Sequence, residues 1–164
     1  MHSKLGIDIG GVIIDHSNRT SGNSFFGQNF LKSTIAVDAF DRIRDLYDCF
    51  DKNVFLVSKA GIPNQEKTEL WLSHNDFYSR TGVQKEQVFF CREYSDKKTI
   101  CQNLGITHFV DDKLMVLQHL IGYVPHLYLF SPEEEGIKGF EQYLSAVTAV
   151  QHWNECYKSI VQTM

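Results

Sequence analysis

Apolar positions along the chain alternate between short dense runs and longer stretches at helical spacing. Residues 5–9 form a compact apolar run that ends at Gly10-Gly11, which reads as a strand and its exit turn. Val37, Phe40, Ile43, Leu46, Tyr47 and Phe50 recur three and four apart, the signature of an amphipathic helix with one buried face. Residues 53–57 read as a second strand. A more polar helix over 63–80 follows, with Pro63 suited to its first turn and Gly82 to its stop. Val88–Cys91 reads as a third strand, and Ser95 or Asp96 as the cap of a short helix closed by Gly105. Residues 107–110 and His126–Phe130 read as the fourth and fifth strands, separated by a helix through Met115, Leu117 and Leu120. A short sixth strand at 146–150 and a last helix at Trp153–Val161 complete the pattern.

Strands that alternate with helices imply right-handed crossovers and a sheet covered on both faces. The expectation is therefore a three-layer, Rossmann-like α/β fold with a mostly parallel sheet of five or six strands. No repeat or proline- and glycine-rich linker divides the 164 residues, so the reading is one domain, 1–164. Composition agrees: 43% hydrophobic and 22% charged is the balance of a globular protein. The longest apolar runs, such as 54–57 and 127–130, are too short to span a bilayer. With no apolar signal core behind Met1, the expected location is cytoplasmic, and the Asn18-Arg19-Thr20 sequon carries no meaning there. Cys49, Cys91, Cys101 and Cys156 are scattered without a CxxC pair, and are read as reduced thiols filling the core. The net charge of −4, with no basic stripe, argues against nucleic acid as a partner.

Parallel sheets place ligands at the carboxyl ends of their strands, and those ends collect a specific set of residues. The first strand delivers Asp8, the second Ser58, and the fourth Asp111 and Asp112, while Lys97 and Lys98 open the helix between the third and fourth. Crowded carboxylates repel, and a hard divalent cation relieves that repulsion. Magnesium suits oxygen ligands and retains water and phosphate oxygens in its shell. A serine hydroxyl and a lysine ammonium suit a phosphoryl group. A carboxylate in line with the phosphorus can act as nucleophile and form an aspartyl-phosphate. None of the seven histidines has metal-ligand spacing, and His74, His108, His119 and His152 read as structural or solvated. Trp71 and Trp153 read as packing anchors.

The run Leu5-Gly6-Ile7-Asp8-Ile9-Gly10-Gly11-Val12, then Phe55-Leu56-Val57-Ser58, then Lys97-Lys98, then His108-Phe109-Val110-Asp111-Asp112 resembles the haloacid dehalogenase (HAD) superfamily, whose four motifs occur in this order. The resemblance covers most of the chain. It implies Asp8 as nucleophile and magnesium ligand, Ser58 as phosphate binder, and Lys98 or Lys97 as the lysine that steadies the nucleophile and the transferring group. It further implies Asp112, with Asp111, as metal ligand, the Gly10 carbonyl as another, and Gly11 beside the phosphate.

One departure from the family pattern matters. Family phosphatases carry an Asp two residues after the nucleophile, to protonate the leaving group and then activate water. This chain has Gly10 there, and losing a placed acid/base removes ~10²–10⁴-fold in rate. Asp15 and His16 lie just beyond and offer alternative proton carriers or plain loop residues. Two functional expectations follow. One is a magnesium-dependent phosphohydrolase acting on a phosphorylated small molecule or macromolecule. The other is a weak or inactive relative that binds a phosphorylated ligand or a protein partner. A response-regulator-like receiver fits less well, because there the phosphorylated Asp ends the third strand. The gaps at 13–35 and 92–96 are too short to bury a core of their own. The site is therefore expected to be capless, with a flap at about 13–36 in which Phe25, Phe26 and Phe30 serve as a lid, a subunit contact or an anchor to the domain. A homo-oligomer is left open.

Overall fold

The computed structural model describes residues 2–16 and 27–164. The sequon at 18–20, Phe25, Phe26 and the middle of the expected flap lie outside the described residues. Six strands form one sheet: β1 (Leu5–Ile7), β2 (Val54–Lys59), β3 (Val88–Cys91), β4 (His108–Asp111), β5 (His126–Phe130) and β6 (Thr148–Val150). Their order is β3-β2-β1-β4-β5-β6, and every pairing is parallel. The helices are α1 (Ala39–Cys49), α2 (Ile62–His74), α3 (Phe77–Thr81), α4 (Asp96–Leu104), α5 (Leu114–Leu117), α6 (Glu134–Ile137) and α7 (Trp153–Val161). This is the expected three-layer α/β fold, with the short sixth strand present.

Side-chain alternation along the strands sends apolar residues to both faces, as a sheet covered on both sides requires. Leu5, Ile7, Val54, Leu56, Val110, Tyr128 and Phe130 share one core with α1, α2, α3 and α7. Val57, Phe109, Leu127 and Leu129 share the opposite core with α4 and α5. Gly6 belongs to this second face because the Phe109 ring lies over it: a Cβ there would sit 2.5 Å from Phe109 Cδ2. Trp71 and Trp153 are both buried. Their indole N–H groups donate to Ser33 O at 3.0 Å and Val12 O at 2.9 Å, tying the segments on either side of the undescribed stretch to the domain.

Three local expectations change. The helix expected over 63–80 is two helices, broken at Asn75 and Asp76, with Asp76 in the left-handed region at φ 56°. Strand β1 is shorter than 5–9, because the chain turns at Ile9, whose carbonyl accepts from the amides of Ile13 and Ile14. Cys91, Cys101 and Cys156 fill the core, but Cys49 is exposed on the outer side of α1. Among the described residues no helix is long and apolar enough to cross a membrane.

Candidate metal and phosphate site

The sheet order sets the site. From β1 the chain winds outward to β2 and β3, then crosses to the other side of β1 to lay down β4, so the crevice of the fold opens between β1 and β4 at their carboxyl ends. Ile7 is in register with Val110, and the Asp8 amide donates to Val110 O at 2.9 Å. Asp8 and Asp111 therefore follow side by side on neighbouring strands. Asp112 joins them at the next position, and carboxylate oxygens of Asp8, Asp111 and Asp112 lie within 4.8 Å of one another.

Lys97, from the first turn of α4, reaches down into this group. Its ammonium lies 2.9 Å from Asp8 Oδ1 and 2.7 Å from Asp111 Oδ2, and the side chain is 1% exposed. Burial alone would lower its pKa, but the carboxylates of Asp111 and Asp8 outweigh that and hold it above the ordinary lysine value. Asp111 is completely enclosed. Its second oxygen accepts from the Lys113 amide at 3.0 Å, which fixes the carboxylate plane. Burial, together with the charges of Asp8 and Asp111, pushes the Asp112 carboxyl up to about 8. Burial first, and Asp8 after it, raise Asp111 as well, against the pull of Lys97.

One ammonium cannot neutralise three carboxylates, and that excess negative charge is the driving force for a cation. The residues fit one. Asp112 Oδ1 is buried with no hydrogen-bond partner among the described residues. Gly11, at φ 77°, leaves the space in which Asp112 rests: a Cβ there would fall 2.2 Å from Asp112 Oδ2.

A cavity of about 190 Å³ opens above Asp8, lined among others by Gly10, His16, Ser58, Asn64, Thr68 and Lys97. Ser58, buried at the end of β2, stands across it. Of the adjacent lysines, only Lys97 joins the carboxylates. Lys98 is turned about 100° away by the helix, and its ammonium sits 3.8 Å from the centre of the Tyr123 ring. Gly10 lines the cavity, and a Cβ built on it would point at the His16 ring, 3.1 Å from Cε1. The cavity wall also holds Lys59, Tyr94 and Lys113, which the sequence pattern does not single out. Lys59 and Lys113 each directly follow a strand-end site residue, which is the available signal. Nothing in the sequence marked Tyr94.

No protein-family model matches the sequence, and no curated protein matches it significantly. Solved structures do match in shape. The chain is similar to D,D-heptose 1,7-bisphosphate phosphatase from B. bronchiseptica, a structure complexed with magnesium and phosphate, at TM-score 0.66 and 14% identity over 98% of this chain and 99% of that one. It is equally similar to a protein from Burkholderia xenovorans assigned as a haloacid dehalogenase-like hydrolase, at TM-score 0.66 and 11% identity over 99% of this chain and 98% of that one. At such identities the likeness shows a shared fold.

Proposed function

We propose that this protein is a HAD-like phosphohydrolase that needs magnesium and uses Asp8 as its nucleophile. The observation that carries the reading is the Asp8–Lys97–Asp111 bridge beside Asp112, at the crevice between β1 and β4. The shared fold with a phosphatase complexed with magnesium and phosphate supports it.

Asp8, Asp112, Asp111 and the Gly10 carbonyl are the groups that would hold the ion, which when bound supplies positive charge to a phosphoryl group. Lys97, 2.9 Å from Asp8 Oδ1, holds that carboxylate in place and shares its positive charge with the transferring group. Ser58 donates a hydrogen bond to a phosphoryl oxygen. The other oxygen of Asp8 attacks phosphorus as the ester P–O bond breaks, giving an aspartyl-phosphate and an alkoxide that takes its proton from water. Water then cleaves the acyl phosphate and restores Asp8. The departing oxygen needs a proton, and Gly10 has none to give.

That same absence favours the second reading, a protein that binds a phosphorylated ligand with little turnover. Steady-state hydrolysis of p-nitrophenyl phosphate and a panel of phosphate esters separates the two. The first reading expects slow magnesium-dependent turnover, reduced about 10³-fold or more in Asp8→Asn and abolished by EDTA. Wild-type protein with no turnover above buffer, combined with activity that appears only in Gly10→Asp, would establish the second.

A further inference from the structure

Two further lysines stand at the cavity rim outside the ion pairs of the reacting cluster, although Lys113 still feels the charges of Asp112 and Asp8. Lys59 follows Ser58 at the end of β2 and Lys113 follows Asp112 after β4, so the two stand on opposite sides of β1 at the rim of the same cavity. Tyr94, from the connection between β3 and α4, stands against both. The Lys59 ammonium is 4.5 Å from its ring centre. The Lys113 ammonium is 5.2 Å from that centre and donates to the phenolic oxygen at 3.2 Å. Among the described residues neither lysine has a carboxylate within ion-pair distance, whereas Lys97 has two.

Holding two ammonium groups against one ring sets like charges close together, and ring contacts offset that only in part. An anion placed between the two ammonium groups would offset that repulsion. Because Lys113 donates into the Tyr94 oxygen, the phenolic proton is left to point elsewhere, which adds a third donor. Gly61 and Asn64, at the opening of the 13-residue helix α2, line the same wall and turn its positive end toward the space. The Arg92 guanidinium fixes that wall by donating to Ala60 O and to Gln65 Oε1.

We propose that Lys59, Lys113 and Tyr94 form a second oxyanion subsite, so that the ligand is a small molecule with a phosphoryl group at Asp8 and a second anionic group, phosphate or carboxylate, at the lysine pair. This rests on the phosphoryl site proposed above. A cavity of about 190 Å³ suits such a metabolite, since drug-sized ligands occupy roughly 300–1,000 Å³.

Three non-hydrolysable ligands of matched length test it by calorimetry, with magnesium present and ionic strength fixed. They are propylphosphonate, 3-phosphonopropionate and propane-1,3-diyl bisphosphonate. At least one of the two doubly anionic ligands is expected to bind about tenfold or more tightly than propylphosphonate, the scale of one charge-assisted hydrogen bond. The one that gains identifies the second group as carboxylate or phosphate. In Lys59→Met, Lys113→Met and the double variant the ratio should fall toward one. The proposal is overturned by equal affinities in the wild type, by no binding of any of the three, or by a ratio that survives the double substitution. Because the ligands are not turned over, the result is independent of hydrolysis. A retained preference with no esterase activity sinks the enzymatic reading alone. Asp8-dependent activity with no preference sinks the subsite alone.

Discussion

Two adjacent glycines in the turn after β1 differ in what they permit. Gly11 has φ 77°, and any Cβ there would overlap the Asp112 carboxylate at 2.2 Å. Gly11→Ala combines backbone strain with displacement of a metal-binding group. It should cost about 1–3 kcal/mol in urea denaturation and abolish magnesium-induced thermal stabilisation. Gly10 is not in the left-handed region, and a Cβ there meets only the His16 ring edge at 3.1 Å. Gly10→Ala should cost less than about 1 kcal/mol. If the two variants behave alike, the turn is not the cradle described here. Ser58 and Lys97 differ from these in kind. Ser58 was readable from sequence, whereas the sequence left Lys97 and Lys98 equivalent and showed neither the burial of Lys97 nor its double ion pair.

At the scale of elements, the break between α2 and α3 shows packing overriding periodicity. Trp71 and Phe77 are both fully buried, and both meet the Phe40 ring edge-on, with centroids 6.2 and 5.1 Å away. Six residues apart on one straight helix, they would face directions about 120° apart. Asp76, in the left-handed region, redirects the chain so that both reach Phe40. Asn75 helps to end α2, its side-chain amide donating to Trp71 O at 2.9 Å. Asp76→Gly should be neutral to slightly stabilising. Asp76→Val, β-branched at positive φ, should cost about 1–2 kcal/mol by urea denaturation. Equal stability of the two would place the redirecting strain elsewhere.

Across the whole molecule, the two ends of the sheet respond to pH in opposite senses. At the amino ends of the strands His108 is 1% exposed, stacked on His126 with centroids 4.5 Å apart. Burial first, then the neighbouring His126, lowers its pKa to about 4. An unfolded histidine titrates near 6.5, so between about 6.5 and 4 the unfolded chain binds the extra proton, and His108 lowers stability as the pH falls through that window. At the carboxyl ends Asp112 is raised to about 8. There the folded state holds the extra proton, so this group makes the metal-free protein less stable as the pH rises toward 8. Comparing wild type with His108→Gln in saturating magnesium isolates the first effect. The difference in unfolding free energy should change by about 1–3 kcal/mol from pH 7 to pH 4.5. Magnesium binding requires deprotonated ligands, so its effect on Tm should be larger at pH 8 than at pH 6, vanish with EDTA, and be absent in Asp112→Asn. A Tm shift that is flat between these pH values would argue against Asp112 as a ligand.

The sequence by itself determined the alternation of strands and helices, because apolar periodicity is a local property that each segment carries alone. It also determined which acidic, hydroxyl and amine groups stand at strand ends, because Asp8, Ser58 and Asp111-Asp112 each directly follow an apolar run. The order of the strands, however, is a long-range property. Only the pairing of β1 with both β2 and β4 brought Asp8 beside Asp111. The choice between Lys97 and Lys98 likewise awaited the rotation of α4 over the sheet, since neighbouring helical residues face different directions and no local signal says which one faces inward. The meeting of Tyr94 with its two lysines was beyond the sequence for the same reason: the end of β2, the connection before α4 and the turn after β4 come together only once the sheet has formed.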